Sequence, residues 1–250
     1  MTRGNKEFRR RYPRLSELMD LVKDSINESS NYFSNFESIV SENPNAAAKY
    51  DVLEKELSEL TVQAWDQLKT KCLSYICRPS ATRWWQQLFD CLNEAKGYVY
   101  LKVSGYTDIQ FIPETRVKRP DLIGHRPDRD AVLEVKSIGE SCESLLRKAE
   151  LGRRLTAGEP LFSSEVPFGV NDRLKAKFLD DLKTAANQLT AYRPSENLRR
   201  VAFFVIKYDY DLSIGDANDQ EMQSIARDNK PGGVDIVIAR PYGLQLIGDA

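Results

Sequence analysis

Asp121, Glu134 and Lys136 are the residues whose types and spacing can do chemistry, and they lie in the stretch from Arg119 to Ser137, RPDLIGHRPDRDAVLEVKS. Apolar and polar residues alternate on both sides of Arg126-Pro127-Asp128-Arg129, the pattern of two half-buried strands joined by a polar turn. A turn centred between Pro127 and Asp128 sets Asp121 directly across from Glu134. Leu122, Ala131, Leu133 and Val135 then share one face and enter a core, while Asp121, Ile123, His125, Asp130, Val132, Glu134 and Lys136 share the other. Cross-strand neighbours have Cβ atoms about 4.5–5.5 Å apart. Two carboxylates therefore stand side by side, with an ammonium one step along.

Directly opposed like charges weaken a sheet. A divalent cation removes the penalty, because Mg²⁺ is held by one or two carboxylates together with substrate phosphate and water. Lys136 is then placed to offset charge developing on a phosphate. The competing reading is a surface hairpin whose Glu134 and Lys136 form a solvated ion pair. His125, the only histidine, either relays a proton or pairs with Asp130 at the hairpin tip.

Several elements must hold this hairpin. A helix starting near Thr82 carries Trp84, Trp85, Leu88, Phe89, Leu92 and Ala95 on a wide apolar face, and Gly97 is expected to stop it. Tyr98–Val103 then reads as a strand, with Asp108–Ile112 as a second strand or the far end of a bent one. After the hairpin, Ile138 to Val170 reads as an irregular insertion with a short helix from Cys142 to Leu155. From Asn171 to Tyr192 the apolar positions Leu174, Phe178, Leu182, Ala185 and Leu189 mark a helix that ends before Pro194. Val201–Ile206 is a continuous apolar run suited to a strand buried on both faces. A short helix around Glu221–Arg227, a turn at Lys230–Gly233, and strands at Val234–Ala239 and Leu244–Ile247 complete the reading.

Upstream, residues 1–80 read as a helical extension and residues 81–250 as the main domain. From about Ala46 to Ile76 the stripe Tyr50, Leu53, Leu57, Leu60, Ala64, Leu68 and Cys72 predicts one long amphipathic helix. It either packs on its own domain or forms a dimer seam. The opening cluster Arg3, Lys6, Arg9, Arg10, Arg11 and Arg14 is a solvated tail or a phosphate contact.

Pro120-Asp121, a gap of twelve residues, and Glu134-Val135-Lys136 together resemble the signature of the PD-(D/E)xK nuclease superfamily. The element order agrees: the helix, strand, hairpin, helix and buried strand between Thr82 and Tyr208 give αβββαβ. The resemblance implies an α/β (α+β), restriction-endonuclease-like core with a mixed central sheet flanked by helices, beside the N-terminal helical extension. It implies Mg²⁺, with Mn²⁺ as a substitute, held by Asp121, Glu134, the Val135 backbone carbonyl and Glu94 near the end of the first core helix, with Asp90 as a fallback. Lys136 orients water or offsets transition-state charge. Gln188, four residues before Tyr192, resembles the Gln-x-x-x-Tyr pair of the exonuclease-type branch and supports Lys136. Arg119, Arg147, Arg153, Arg154 and Tyr192 are the candidate nucleic-acid contacts; for Arg147, Arg153 and Arg154 the competing reading is a solvated helix face balanced by Glu140, Glu143 and Glu150.

The expected activity is hydrolysis of DNA phosphodiesters, with a restriction-type endonuclease working as a homodimer as the first choice. The alternatives are an end-processing exonuclease, a nuclease subunit of a larger complex, or a binding module without catalysis. Hydrophobic residues make up 41%, charged residues 29%, and the net charge is -1. Affinity for nucleic acid must then come from local patches. No apolar run is long enough to span a membrane, and the basic start has no apolar segment after it to make a secretory signal. Cys72, Cys77, Cys91 and Cys142 match no zinc framework, and free thiols point to a cytoplasmic location.

Overall fold

The computed structural model of the chain describes residues 3–22, 32–33, 36–76, 85–113, 115–139, 150, 153–154, 170–194, 196–208, 215–241 and 246–249. Helices α1 (Arg3–Arg11), α2 (Pro13–Val22), α3 (Phe36–Glu42), α4 (Pro44–Ser58) and α5 (Val62–Ile76) come first. Next are α6 (Gln86–Val103), β1 (Thr107–Phe111), β2 (Leu122–His125), β3 (Ala131–Ile138), α7 (Asp172–Ala191) and β4 (Arg199–Ile206). The last elements are α8 (Gly215–Asp228), β5 (Val234–Ala239) and β6 (Leu246–Asp249). The strands form one six-stranded mixed sheet in the order β1-β2-β3-β4-β5-β6. It is parallel at β3–β4 and β4–β5 and antiparallel elsewhere. The α6-to-β4 run has the αβββαβ order read from the sequence.

Both faces of the sheet are covered. Val201, Phe203 and Val205 of β4 join Leu122, Leu133 and Val135 in a core with α6. Ala202, Phe204 and Ile206 point the other way and pack with Phe178, Leu182 and Leu189 of α7. A central strand buried on both sides needs an unbroken apolar run, which RRVAFFVI supplies. The hairpin is not half-buried as expected: Ile123 and Val132, on its supposed polar face, lie in the α7 core. That face is polar at its two ends, with Asp121, Glu134 and Lys136 at one and the His125–Asp130 pair at the hairpin tip.

Helix α6 runs on where a stop and a strand were expected. Tyr98, Tyr100 and Leu101 are buried in its last turns, continuing the face set by Leu88, Leu92 and Ala95. Spacing by three and four outweighs the β preference of Tyr98-Val-Tyr. Gly97 is a seat: a Cβ there would lie 2.9 Å from Leu133 Cδ2 and 3.0 Å from Leu122 Cδ1 and Val135 Cγ2. Its bare Cα lets the helix settle directly onto β2 and β3. The stop comes at Gly105, with φ +85. There Gly105 N–H donates to Lys102 O at 3.1 Å and Tyr106 N–H to Leu101 O at 3.0 Å, the paired bonds of a Schellman cap.

The stripe from Ala46 to Ile76 is likewise two helices rather than one. Thr61 begins α5, its side-chain oxygen accepting from Ala64 N–H at 3.2 Å. That capping bond satisfies a donor a helix start leaves open, which makes a break there cheap. Leu57, Leu60, Ala64, Leu68, Cys72 and Ile76 are all buried in the α6 core, so the stripe is spent inside the chain. Glu56 of α4 meets Lys96 of α6 in a buried ion pair at 2.5 and 2.7 Å. The N-terminal helices and the sheet thus share one hydrophobic cluster. The basic opening is tied down as well, with Arg9 on Asp20, Arg11 on Asp51 and Arg14 on Glu17. Near the other end, α8 begins at Gly215, earlier than the short helix expected around Glu221.

Candidate functional site

The β2–β3 register pairs Leu122 with Leu133, Ile123 with Val132 and Gly124 with Ala131. One step further, Asp121 faces Glu134, as the turn chemistry predicts. Asp121 N–H donates to Leu133 O at 3.0 Å. Strand β2 stops here while β3 continues to Ile138, and the Asp121 carboxylate completes the ladder by accepting Val135 N–H at 2.8 Å. That bond fixes one oxygen of Asp121.

Glu134 is 4% exposed and its Oε1 accepts from Lys136 Nζ at 2.7 Å. Its Oε2 is buried with no hydrogen-bond partner. Burial, and then the facing Asp121 carboxylate, push the Glu134 carboxyl up to about 8, against the pull of Lys136 and Lys71. An unsatisfied carboxylate oxygen in the interior is costly unless something cationic or protic meets it. Lys136 also donates to Gln188 Oε1 at 3.4 Å, and Gln188 Nε2 donates to the Arg119 carbonyl at 3.3 Å. Gln188 therefore clasps the lysine of β3 to the backbone leading into Asp121.

Glu94, on α6, is buried and accepts from Lys71 Nζ at 2.6 Å. The same ammonium lies 3.8 Å from Asp121 Oδ1. Glu94 thus reaches the site, but across a lysine that sequence reasoning missed. Lys71 sits one residue before the buried Cys72, and nothing in its spacing sets it apart from Lys69, which pairs with Glu17 and Asp66. Its partners are defined only when α5 packs on α6, where Cys72 Sγ lies 3.1 Å from Cys91 Sγ. Beyond Lys136, Asn93 of α6 donates to Ser137 Oγ at 2.9 Å. Asp90, the fallback for Glu94, is bonded by Gln86 at 2.8 Å.

Of the remaining candidates, Arg119 is exposed beside the site. At Val135 the observed contact to Asp121 is through N–H, and the side chain enters the α6 core. Tyr192 is the C-cap of α7, partly buried, with the Arg193 guanidinium 5.2 Å from its ring centre. Arg153 and Arg154 both bind Glu150, at 2.8 and 2.9 Å, and hold its carboxyl down at about 2. Arg147, Cys142 and most of the expected 142–155 helix lie outside the described residues. His125 Nδ1 is 3.0 Å from Asp130 Oδ2, the hairpin-tip pairing.

Among the described residues no group of three or more Asp, Glu, His or Cys side chains is arranged to hold a metal ion. The pair Asp121–Glu134 is the donor set at hand, with Glu94 separated from it by Lys71. Also among the described residues, no helix is long and apolar enough to cross a membrane. A scan against protein-family models and a search of curated proteins each find no match to the chain.

Proposed function

We propose that the chain is a Mg²⁺-dependent nuclease of the PD-(D/E)xK kind that hydrolyses DNA phosphodiester bonds, acting as a restriction-type endonuclease. The observation that carries this reading is Glu134: a buried carboxyl facing Asp121, with one oxygen bound by Lys136 and the other unsatisfied. Stability alone gives no reason to bury a second carboxylate beside a first. A hard cation does, and two carboxylates with open positions for phosphate and water suit Mg²⁺ or Mn²⁺. Such an ion supplies Lewis acidity and makes water a better nucleophile near neutral pH.

The chain's own residues then have distinct tasks. Asp121, pinned by Val135 N–H, and Glu134 present oxygen donors in fixed positions. Lys136, held by Glu134 and Gln188, sets a positive charge where the attacked phosphate gains negative charge. Arg119, exposed beside the site, serves to bind the DNA backbone. Cutting both strands calls for a second copy of the site, hence a homodimer.

The test is incubation of the full chain with supercoiled plasmid and Mg²⁺ or Mn²⁺. Glu134→Gln and Lys136→Ala should each lower cleavage by about a hundredfold or more, in keeping with loss of a charge-stabilising group. A folded wild-type chain that leaves DNA and RNA uncut with either ion refutes the reading. The Gln188–Lys136 contact favours the end-processing alternative, and a substrate with blocked ends separates the two: an endonuclease cuts it, an exonuclease does not.

A further inference from the structure

We propose that Lys71 is a built-in cation of this centre, occupying the position between Glu94 and Asp121 that a second divalent ion would take, so that the site binds a single ion. The inference rests on the proposed metal-dependent reading and adds to it the number of ions and a residue from the N-terminal helices.

The geometry points there. Lys71 Nζ lies 2.6 Å from Glu94 Oε1 and 3.8 Å from Asp121 Oδ1, so one ammonium stands between a carboxylate of α6 and the one just before β2. Glu94 is 8% exposed at its side chain, which leaves little water to compete for that contact. Lys71 is also held from behind. Its neighbour Cys72 is fully buried against Cys91, and Leu68 and Ile76 lock the same helix into the core. Packing fixes the helix backbone that carries Lys71, and the contact with Glu94 holds its ammonium.

Charge counting agrees. Among these five groups, Glu94, Asp121 and Glu134 bring three negative charges when ionised, and Lys71 and Lys136 bring two positive ones, which leaves the five one positive charge short. A single divalent ion reverses that to a surplus of one, which a phosphodiester anion neutralises. A second divalent ion beside Lys71 would leave a large uncompensated positive charge in a partly buried site. The open coordinating capacity lies at Glu134, whose Oε2 has no partner, and not at Glu94, whose carboxylate already binds Lys71. The ion position is therefore on the Asp121–Glu134 side.

Titration of the full-length chain with Mn²⁺ alone, followed by electron paramagnetic resonance of the free ion, reads the stoichiometry without nucleic acid or turnover. The wild type should take up a single ion, and Lys71→Arg, which keeps the charge, should do the same. Lys71→Gln should admit a second ion, and adding Glu94→Gln should abolish that second uptake. Asp121→Asn should weaken the first ion by about tenfold or more. A second ion in the wild type, or a single ion in a folded Lys71→Gln variant, overturns the role given to Lys71. No uptake by any of the folded chains overturns the metal reading beneath it. Thermal melting of each variant shows which chains are folded, and Lys71→Met replaces Lys71→Gln if the latter is not.

Discussion

Glu134→Gln should stabilise the metal-free protein, and the gain should grow with pH. In the folded chain this carboxyl keeps its proton up to about 8, against 4.5 when unfolded, because burial and Asp121 disfavour its charge. A raised carboxyl in the folded state means stability that is present below about pH 4.5 and is lost as pH rises toward 8. At about 1.4 kcal/mol for each pH unit between the two values, the loss reaches roughly 3 kcal/mol by pH 7 and flattens above about pH 8. Glutamine has nearly the same shape, has nothing to ionise, and can donate from its amide nitrogen. Urea unfolding of wild type and variant in EDTA, from about pH 5 to about pH 8.5, reads Glu134 together with the groups coupled to it, Asp121 and Lys136, since the remaining titrating groups behave alike in both chains. Over that range the wild-type curve should fall away from the variant by roughly 4 kcal/mol, and saturating Mg²⁺ should close much of the gap by binding the folded carboxylate. Parallel curves within about 0.5 kcal/mol would refute the argument that Glu134 is held at a cost by its surroundings.

Two further tests address the scaffold. Lys96→Met strands the Glu56 carboxylate, whose partner is lost while it remains buried between α4 and α6. It should cost about 3–5 kcal/mol in urea unfolding, and adding Glu56→Leu should recover most of that. A single variant no worse than a surface ion-pair deletion would count against the pair being desolvated. Gly97→Ala gains about 1 kcal/mol of helix propensity but presses a methyl onto Leu133, Leu122 and Val135 at once. Overpacking of about 1–3 kcal/mol should outweigh that gain. A higher melting temperature for Gly97→Ala would show that α6 can lift off the sheet at no cost.

The hairpin could be read from the chain because strand alternation has a period of two and the RPDR turn leaves one register that keeps Leu122 and Leu133 together. The caps of α7 were also legible, since Asn171 accepts from Leu174 N–H and Tyr192 ends the helix where the periodicity does. What failed was local preference competing with packing. Tyr98–Val103 carries strand-forming residues, yet its i, i+3 and i+4 positions bury against the sheet, and that contact decides. Gly97 and Gly105 look alike in sequence, and only the approach of Leu133 tells the seat from the stop. Thr61 could have been read as a cap but lies inside an unbroken apolar stripe. Lys71 was invisible because its meaning depends on Glu94 and Asp121, distant along the chain and brought close only in the fold. Glu94 was reached through the family resemblance and through its place near the expected end of its helix, where a carboxylate opposes the dipole, although that helix runs on to Val103.

Because Glu56 answers Lys96 and Lys71 answers Glu94, the helices before residue 80 cannot be treated as a detachable appendage. A fragment starting there, attractive as a shortened reagent, would expose the greasy wall that Leu57, Leu60, Trp65 and Leu68 now cover. It would also leave Lys96 stranded in an apolar interior with its counter-charge gone. Anyone dissecting this protein should move the cut site elsewhere, or expect insoluble material whose silence in an assay says nothing about Asp121 and Glu134.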